Sequence, residues 1–187
     1  AMPEDGYGWE KLFSERMARH FREDYGLVTR IARYHNVYGP LGTWQGGREK
    51  APAAICRKVI QAKHTGRHEI EIWGDGEQTR GFTYLDDIAR GVILALKPVG
   101  YEVINLGGHE VITINKMIGI LEEKIGKKAM VTHHAFHPAD VRANHADVSK
   151  ARKVLGWQPQ VGLDEGISNL VNWYMQEREW ASQIETP

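Results

Sequence analysis

The sequence has 187 residues, 42% hydrophobic and 26% charged, with 24 Lys and Arg balanced by 24 Asp and Glu. That length can bury a real core, and the apolar fraction excludes a disordered or collagen-like chain. A formal net charge of +0 gives no reason to expect nucleic acid or an anionic membrane as partner, and no apolar run approaches the ~18 residues of a spanning helix. The first residues do not read as a secretory leader, and a lone cysteine, Cys56, makes a reducing cytoplasm the expected compartment. Six Trp, seven Tyr and 20 Gly suit aromatic-lined surfaces and tight turns, as a small-molecule site needs.

In chain order, Phe13, Met17, Phe21 and Tyr25 recur at helical spacing, with Gly26 placed to end the helix. Leu27–Arg33 is rich in β-formers and predicts a strand, followed by a Gly/Pro loop from Tyr38 to Gly47. Pro52 sits well in the first turn of a helix bearing Ile55, Val59 and Ile60. Glu69–Trp73 alternates as a half-buried strand and ends at the turn Gly74-Asp75-Gly76. Asp86 is a candidate cap for a helix through Ile88, Val92 and Ala95. Tyr101–Leu106 predicts a strand, and Thr113 a cap for an amphipathic helix with Ile114, Met117, Ile118, Leu121 and Ile125 on one face. Ala129–His133 suits a strand and Ser149–Leu155 a short helix. A long final helix carries Ile167, Leu170, Val171 and Tyr174. Strands alternating with helices make the fold α/β.

The first chemistry-bearing pattern is Tyr7 with Lys11. Four residues apart on a helix, they share a side, where the ammonium favours the phenolate and equips the tyrosine to exchange a proton with a sugar hydroxyl. Alone, the pair could equally be an ordinary surface tyrosine and lysine.

The surrounding blocks carry more. Tyr7-Gly-x-x-Lys11-x-x-x-Glu15 and Arg33-Tyr34-His35-Asn36-Val-Tyr-Gly-Pro40 stand first. Gly81-Phe-Thr-Tyr-Leu-Asp86-Asp87, Val103-Ile-Asn-Leu-Gly107, Asp140-Val-Arg142, Ala146-Asp-Val-Ser-Lys150 and Leu155-Gly-Trp-x-Pro159 follow in order. Together they resemble the extended short-chain dehydrogenase/reductase family, the NAD-dependent nucleotide-sugar epimerases and dehydratases. The run from Tyr34 through Gly42-Thr-Trp-Gln-Gly-Gly-Arg48-Glu49-Lys50, with Gly74-Asp-Gly-Glu-Gln78-Thr79-Arg80, is most similar to the GDP-mannose 3,5-epimerase branch.

The resemblance implies transient oxidation of a GDP-mannose-like sugar, deprotonation and reprotonation of the keto-sugar, and re-reduction. Tyr7 and Lys11 would be catalytic and, with Tyr34 and His35, would touch NAD; Lys50 would be an acid/base group. Asn36, Glu49, Lys50, Ala51, Lys58, Gln78, Thr79, Arg80 and Arg142 would surround the sugar nucleotide. Cations in a Gly-rich setting suit a diphosphate, although Lys50 and Lys58 could also be a solvated helix face. Where plant-type relatives carry a second arginine as phosphate contact, this sequence has Asn144, so Arg142 inherits that expectation.

The resemblance also implies a layout. Residues 1–45, rejoined by 86–110, would be the C-terminal part of a Rossmann-type doubly wound sheet; 46–85 and 111–187 would form the smaller α/β substrate lobe. No Gly-rich dinucleotide fingerprint precedes Tyr7, and the relatives' acid/base cysteine belongs to a segment upstream of anything in this sequence. The expectation is therefore an inactive C-terminal half with an incomplete NAD site. Alternatives are a half-protein needing a separate N-terminal partner, a non-catalytic nucleotide-sugar binder, or a 4-epimerase, decarboxylase or dehydratase. Phe13, Met17 and Phe21 would then be an exposed apolar patch that favours a homodimer or swapped oligomer. His133, His134, His137 and His145 lack the spacing of a metal site, and Cys56 is expected to be a packed thiol.

Overall fold

The computed structural model describes residues 2–3, 6–43, 49–66, 69–96, 102–136 and 141–183. Helix α1 (Gly6–Tyr25) ends as the periodicity requires: Gly26 adopts φ 69°, and its N–H bonds the Arg22 carbonyl at 3.0 Å. Every residue of α1 keeps some exposure, and Phe13, Met17, Phe21 and Tyr25 face solvent or nearly so. Strand β1 (Ile31–Tyr34) is shorter than the sequence suggests. Leu27 and Val28 have strand-forming side chains, but they are exposed and no described strand pairs with them.

Strand β2 (Val37–Tyr38) leads to the loop through Thr43; Trp44–Arg48, part of the diagnostic run, lies outside the described residues. Helix α2 (Ala51–Thr65) has proline in its first turn and Gly66 at φ 74° as its cap. Strand β3 (Glu69–Trp73) buries Ile70 and Ile72 and exposes Glu69, Glu71 and Trp73, the alternation its sequence requires. Short strands β4 (Thr79–Gly81) and β5 (Thr83–Tyr84) precede α3 (Leu85–Ala95).

The α3 start corrects one expectation. Tyr84 occupies the cap position, and Asp86 lies inside the first turn. Its neighbour Asp87 is fully buried and works at a distance: its carboxylate accepts the N–H groups of Gln160 and Val161 at 3.0 Å and the Arg90 guanidinium at 2.7 Å. The Asp87 carbonyl takes the Trp157 indole N–H at 2.8 Å. Gly91 permits this packing, since a Cβ there would come within 2.7 Å of Leu106 and 2.9 Å of the Trp157 ring nitrogen.

Strands β6 (Val103–Leu106) and β7 (Val111–Thr113) lead to α4 (Ile114–Ile125), where the Thr113 hydroxyl accepts the Lys116 N–H at 3.1 Å. The five predicted core positions of α4 are all buried. Strand β8 (Met130–His134), strand β9 (Ala143–Asn144), helix α5 (Ser149–Leu155) and helix α6 (Leu163–Ala181) complete the chain.

Parallel pairs join β1 with β6, β2 with β5 and β3 with β8, while β4 lies between antiparallel β7 and parallel β9. The structure is α/β, as the sequence indicates. The larger core cluster joins α2, β3, α4 and α6 through Val59, Ile70, Leu121, Ile167 and Tyr174. The smaller holds Ile88, Ile104, Leu106, Ala151, Leu155 and Trp157. Residues from α5 through Trp157 thus pack with β6 and α3, apart from the rest of 111–187. No helix among the described residues is long and apolar enough to cross a membrane.

Candidate functional site

Two cavities flank the turn that follows β1. The first, about 580 Å³, is lined by Tyr7, Lys11, Tyr34 and His35 together with Glu15, Arg33, Asn105 and Asp147. All the residues expected to touch a cofactor therefore share one space. Helical spacing brings Lys11 beside Tyr7, its ammonium 5.1 Å from the ring centroid, while Glu10 lies 3.3 Å from the same nitrogen.

The helix carrying the pair is fastened by a contact that the sequence motif contains but does not reveal. Arg33 on β1 donates from Nε and Nη2 to both oxygens of Glu15 on α1, each at 2.6 Å. Such two-point pairing fixes direction as well as distance, and the Glu15 hydrogen bond raises the Arg33 pKa above its ordinary value. Hydrogen bonds from Ser149 in turn hold the Asp147 carboxyl below the usual carboxylate range.

The second cavity, about 330 Å³, is lined by Asn36, Glu49, Lys50, Ala51, Lys58, Gln78 and Arg80. Glu71, Trp73, Phe82 and Ile114 complete much of its wall. Lys50 immediately precedes α2 with extended backbone, φ −73° and ψ 157°. Lys58 reaches from the same helix toward the Glu71 carbonyl at 3.5 Å, and Gln78 donates to the Trp73 carbonyl at 2.8 Å. With Lys50, Lys58 and Arg80 against Glu49 and Glu71, cationic groups outnumber anionic ones in this wall, which suits an anionic ligand.

His35 faces the first cavity and Asn36 the second. Asn36 sits at φ 39°, a left-handed conformation that asparagine tolerates better than most residues. Several bonds hold the turn: the His35 N–H donates to the Leu106 carbonyl at 3.0 Å, Asn36 Nδ2 to the Gly81 carbonyl at 3.1 Å, the Thr83 N–H to the Asn36 carbonyl at 3.1 Å, and the Thr83 hydroxyl to the His35 carbonyl at 2.6 Å. Asn144, which stands where an arginine was expected from plant-type relatives, lies 3.3 Å from His35 Nδ1 through its side-chain oxygen.

Two expected ligand residues line neither cavity. Thr79 lies between Gln78 and Arg80 on a strand of period two, so those neighbours face the cavity and Thr79 turns away. Its N–H bonds the Arg142 carbonyl at 2.9 Å, alongside the β4–β9 pairing, and the exposed Arg142 guanidinium lies 5.4 Å from the Phe136 ring centroid. Trp73, which the alternation of β3 leaves exposed, also lines the second cavity and was not among the expected residues.

The histidines have other engagements. His133 Nδ1 contacts the Gly74 carbonyl at 2.9 Å and His134 packs against Trp73 at 5.1 Å, whereas His145 borders the first cavity. No group of three or more His, Cys, Asp or Glu side chains among the described residues could hold a metal; His137 is outside them. Cys56 is fully buried, and burial pushes its thiol pKa up.

A profile of the family described as GDP-mannose 4,6 dehydratase matches residues 1–170. GDP-mannose 3,5-epimerase of Arabidopsis thaliana is 41% identical over 179 residues, covering 96% of this chain and 46% of the plant protein. UDP-glucuronate 4-epimerase of Thermodesulfobacterium geofontis is 42% identical over 183 residues, covering 97% of this chain and 54% of its own. Among solved structures, Thermotoga maritima UDP-glucose 4-epimerase with UDP-glucose superposes with TM-score 0.87 at 31% identity, over 95% of this chain and 55% of that one. Bacillus cereus UDP-glucuronic acid 4-epimerase, bound to UDP-glucuronic acid and NAD, gives TM-score 0.80 at 32% identity, over 94% and 54%. The chain thus spans about half the length of the curated relatives it matches.

Proposed function

The chain belongs to the GDP-mannose 4,6 dehydratase family, within the extended short-chain dehydrogenase/reductases, and from that premise we propose that it carries the sugar-nucleotide cavity and the tyrosine–lysine pair of an NAD-dependent nucleotide-sugar epimerase. One observation supports this most: the residues assigned to cofactor share one cavity, most of those assigned to substrate share the next, and the two meet at His35–Asn36. The smaller core cluster, with β1 and β6, would belong to the cofactor-binding domain, and the larger cluster to the substrate lobe.

The first cavity fits one end of NAD. Tyr7 and Lys11 offer the hydroxyl and ammonium that a nicotinamide ribose requires, and the chain spans about half the length of the relatives it matches. The rest of the cofactor site would come from sequence equivalent to the remainder of the longer relatives, making this chain an inactive part alone. A separate N-terminal partner is the variant of this reading that complementation tests.

When bound, NAD supplies oxidation of a sugar hydroxyl and its reversal. Tyr7 Oη holds the proton released from that hydroxyl, with the Lys11 charge beside its ring. Lys58 and Arg80 hold the diphosphate, Asn36 and Glu49 orient the sugar, and Lys50 exchanges a proton at the carbon next to the transient ketone. Trp73 offers a flat face at the cavity wall. We place the protein in the cytoplasm, with the apolar side of α1 joining two subunits.

A GDP-mannose-like substrate is the first reading, carried by the Arg48-Glu49-Lys50 run. A UDP-hexuronate is the second, favoured by the 42% identity to a UDP-glucuronate 4-epimerase. Calorimetry of the chain with GDP-mannose and UDP-glucuronic acid ranks them, and tighter binding of the guanosine ligand is expected. No heat with either at millimolar concentration would remove the binding reading. In an active protein containing this chain, Tyr7→Phe lowers kcat by about 10²–10⁴-fold; undiminished turnover refutes the role.

A further inference from the structure

We propose that Arg57 is a positioning residue: from behind the second cavity it neutralises and fixes Glu49, and thereby sets the direction of Lys50 and the field an anionic ligand meets. The assignment rests on that cavity being the sugar-nucleotide site.

Arg57 does not line the cavity, although Lys58, the next residue on α2, does. The two cations consequently have separate tasks on adjacent positions of one helix. Arg57 Nη2 donates to Glu49 Oε1 at 2.7 Å, with side chains only 14% and 5% exposed. Its Nη1 bonds Gln61 Oε1 at 3.2 Å, one turn further along α2, which prevents the guanidinium from swinging outward.

Lys50 stands between this anchored carboxylate and the helix. Its carbonyl accepts the Ala54 N–H at 3.0 Å, and its side chain makes no cap bond. With the backbone held on both sides, the Lys50 side chain leaves from a fixed base. The other end of the preceding loop is tied as well: the Tyr174 hydroxyl, on a side chain buried in the larger core, donates to the Thr43 carbonyl at 3.4 Å.

Electrostatics gives the pair its purpose. Glu49 shares a wall with Lys50, Lys58 and Arg80. Losing the Arg57 charge would draw this nearly buried carboxylate more strongly toward the cavity cations and cancel charge that a diphosphate needs. Arg57 supplies the compensation from outside, leaving the cavity cations for the ligand.

The test uses the chain itself, Arg57→Met, Arg57→Lys and the double variant Glu49→Gln/Arg57→Met, with GDP and UDP as probes. Lysines are ¹³C-methylated, the Lys50 signal is assigned with Lys50→Arg, and nucleotide affinity is measured by calorimetry. Arg57→Met is expected to shift the Lys50 signal and weaken nucleotide binding about tenfold or more. Arg57→Lys recovers part of both, and the double variant recovers most of the nucleotide binding, because the competing carboxylate charge is gone. A folded Arg57→Met with an unmoved Lys50 signal overturns the proposal, as does a double variant as weak as the single. Failure of the unaltered chain to bind either nucleotide strikes the cavity reading, while the ligand-free Lys50 signal still decides the role of Arg57.

Discussion

Asp87→Ala is expected to remove a large part of the stability of the smaller core. The carboxylate, fully buried, is the acceptor for two backbone N–H groups, Gln160 and Val161, and for the Arg90 guanidinium. Truncation leaves the two amides without that partner, each costing about 1–2 kcal/mol. Arg90 is 34% exposed, so water compensates much of its loss and adds only about 1 kcal/mol. The sum is about 3–5 kcal/mol, from a native stability that for an ordinary domain is about 5–15 kcal/mol. For a chain of this size it corresponds to a fall in Tm of roughly 6–20 °C. Asp87→Asn keeps one acceptor oxygen and should lose about half as much. Urea unfolding followed by Trp fluorescence reads both variants, since Trp157 is itself tied to the Asp87 carbonyl. A loss below about 1 kcal/mol, or an asparagine variant no better than alanine, would refute the clamp.

Cys56 should resist thiol reagents in the native state and react only as the chain unfolds, so its labelling rate should rise with urea as unfolding does. Burial, which pushes its pKa up, keeps it a thiol at mildly alkaline pH; rapid labelling of the folded chain would contradict its packing. Burial also raises the pKa of Tyr38, Tyr84 and Tyr174 in the folded state. The folded form therefore keeps protons that the unfolded form releases above about pH 10, so stability is full below that point and falls as pH rises through it. Urea midpoints between pH 8 and 11 check the sign: a midpoint that holds steady or increases would be wrong.

Local pattern made much of the fold legible. Period-two alternation located β3, and the 3.6-residue period with a threonine cap located α4. Leu27–Arg30 shows where local pattern stops, because a β-former becomes a strand only beside another strand. The paired acidic residues Asp86 and Asp87 are a sharper case. A local rule nominates the first as a cap, whereas the second acts on backbone more than 70 residues away. In the site, the shared cavity of Tyr7, Lys11, Tyr34 and His35 was legible because their motifs keep them together. Thr79 lines neither cavity, a consequence of strand alternation that the sequence could have supplied. Arg142 instead lies over the Phe136 ring, a side-chain contact that local pattern does not supply. The Glu15–Arg33 and Glu49–Arg57 pairs were visible as residues but not as partners, since side-chain pairing needs the folded path.

His35 and Asn36 contact different cavities yet are consecutive, so their Cα atoms stand only about 3.8 Å apart. A single peptide unit therefore acts as a common ruler for both compartments. A backbone shift at this point cannot retune one pocket and leave the other in place, whereas side-chain exchange at either residue can. Changing one pocket alone would accordingly proceed by replacing side chains around a fixed Asn36 turn, and a glycine there would blur the registry between the two pockets before it disturbed the fold.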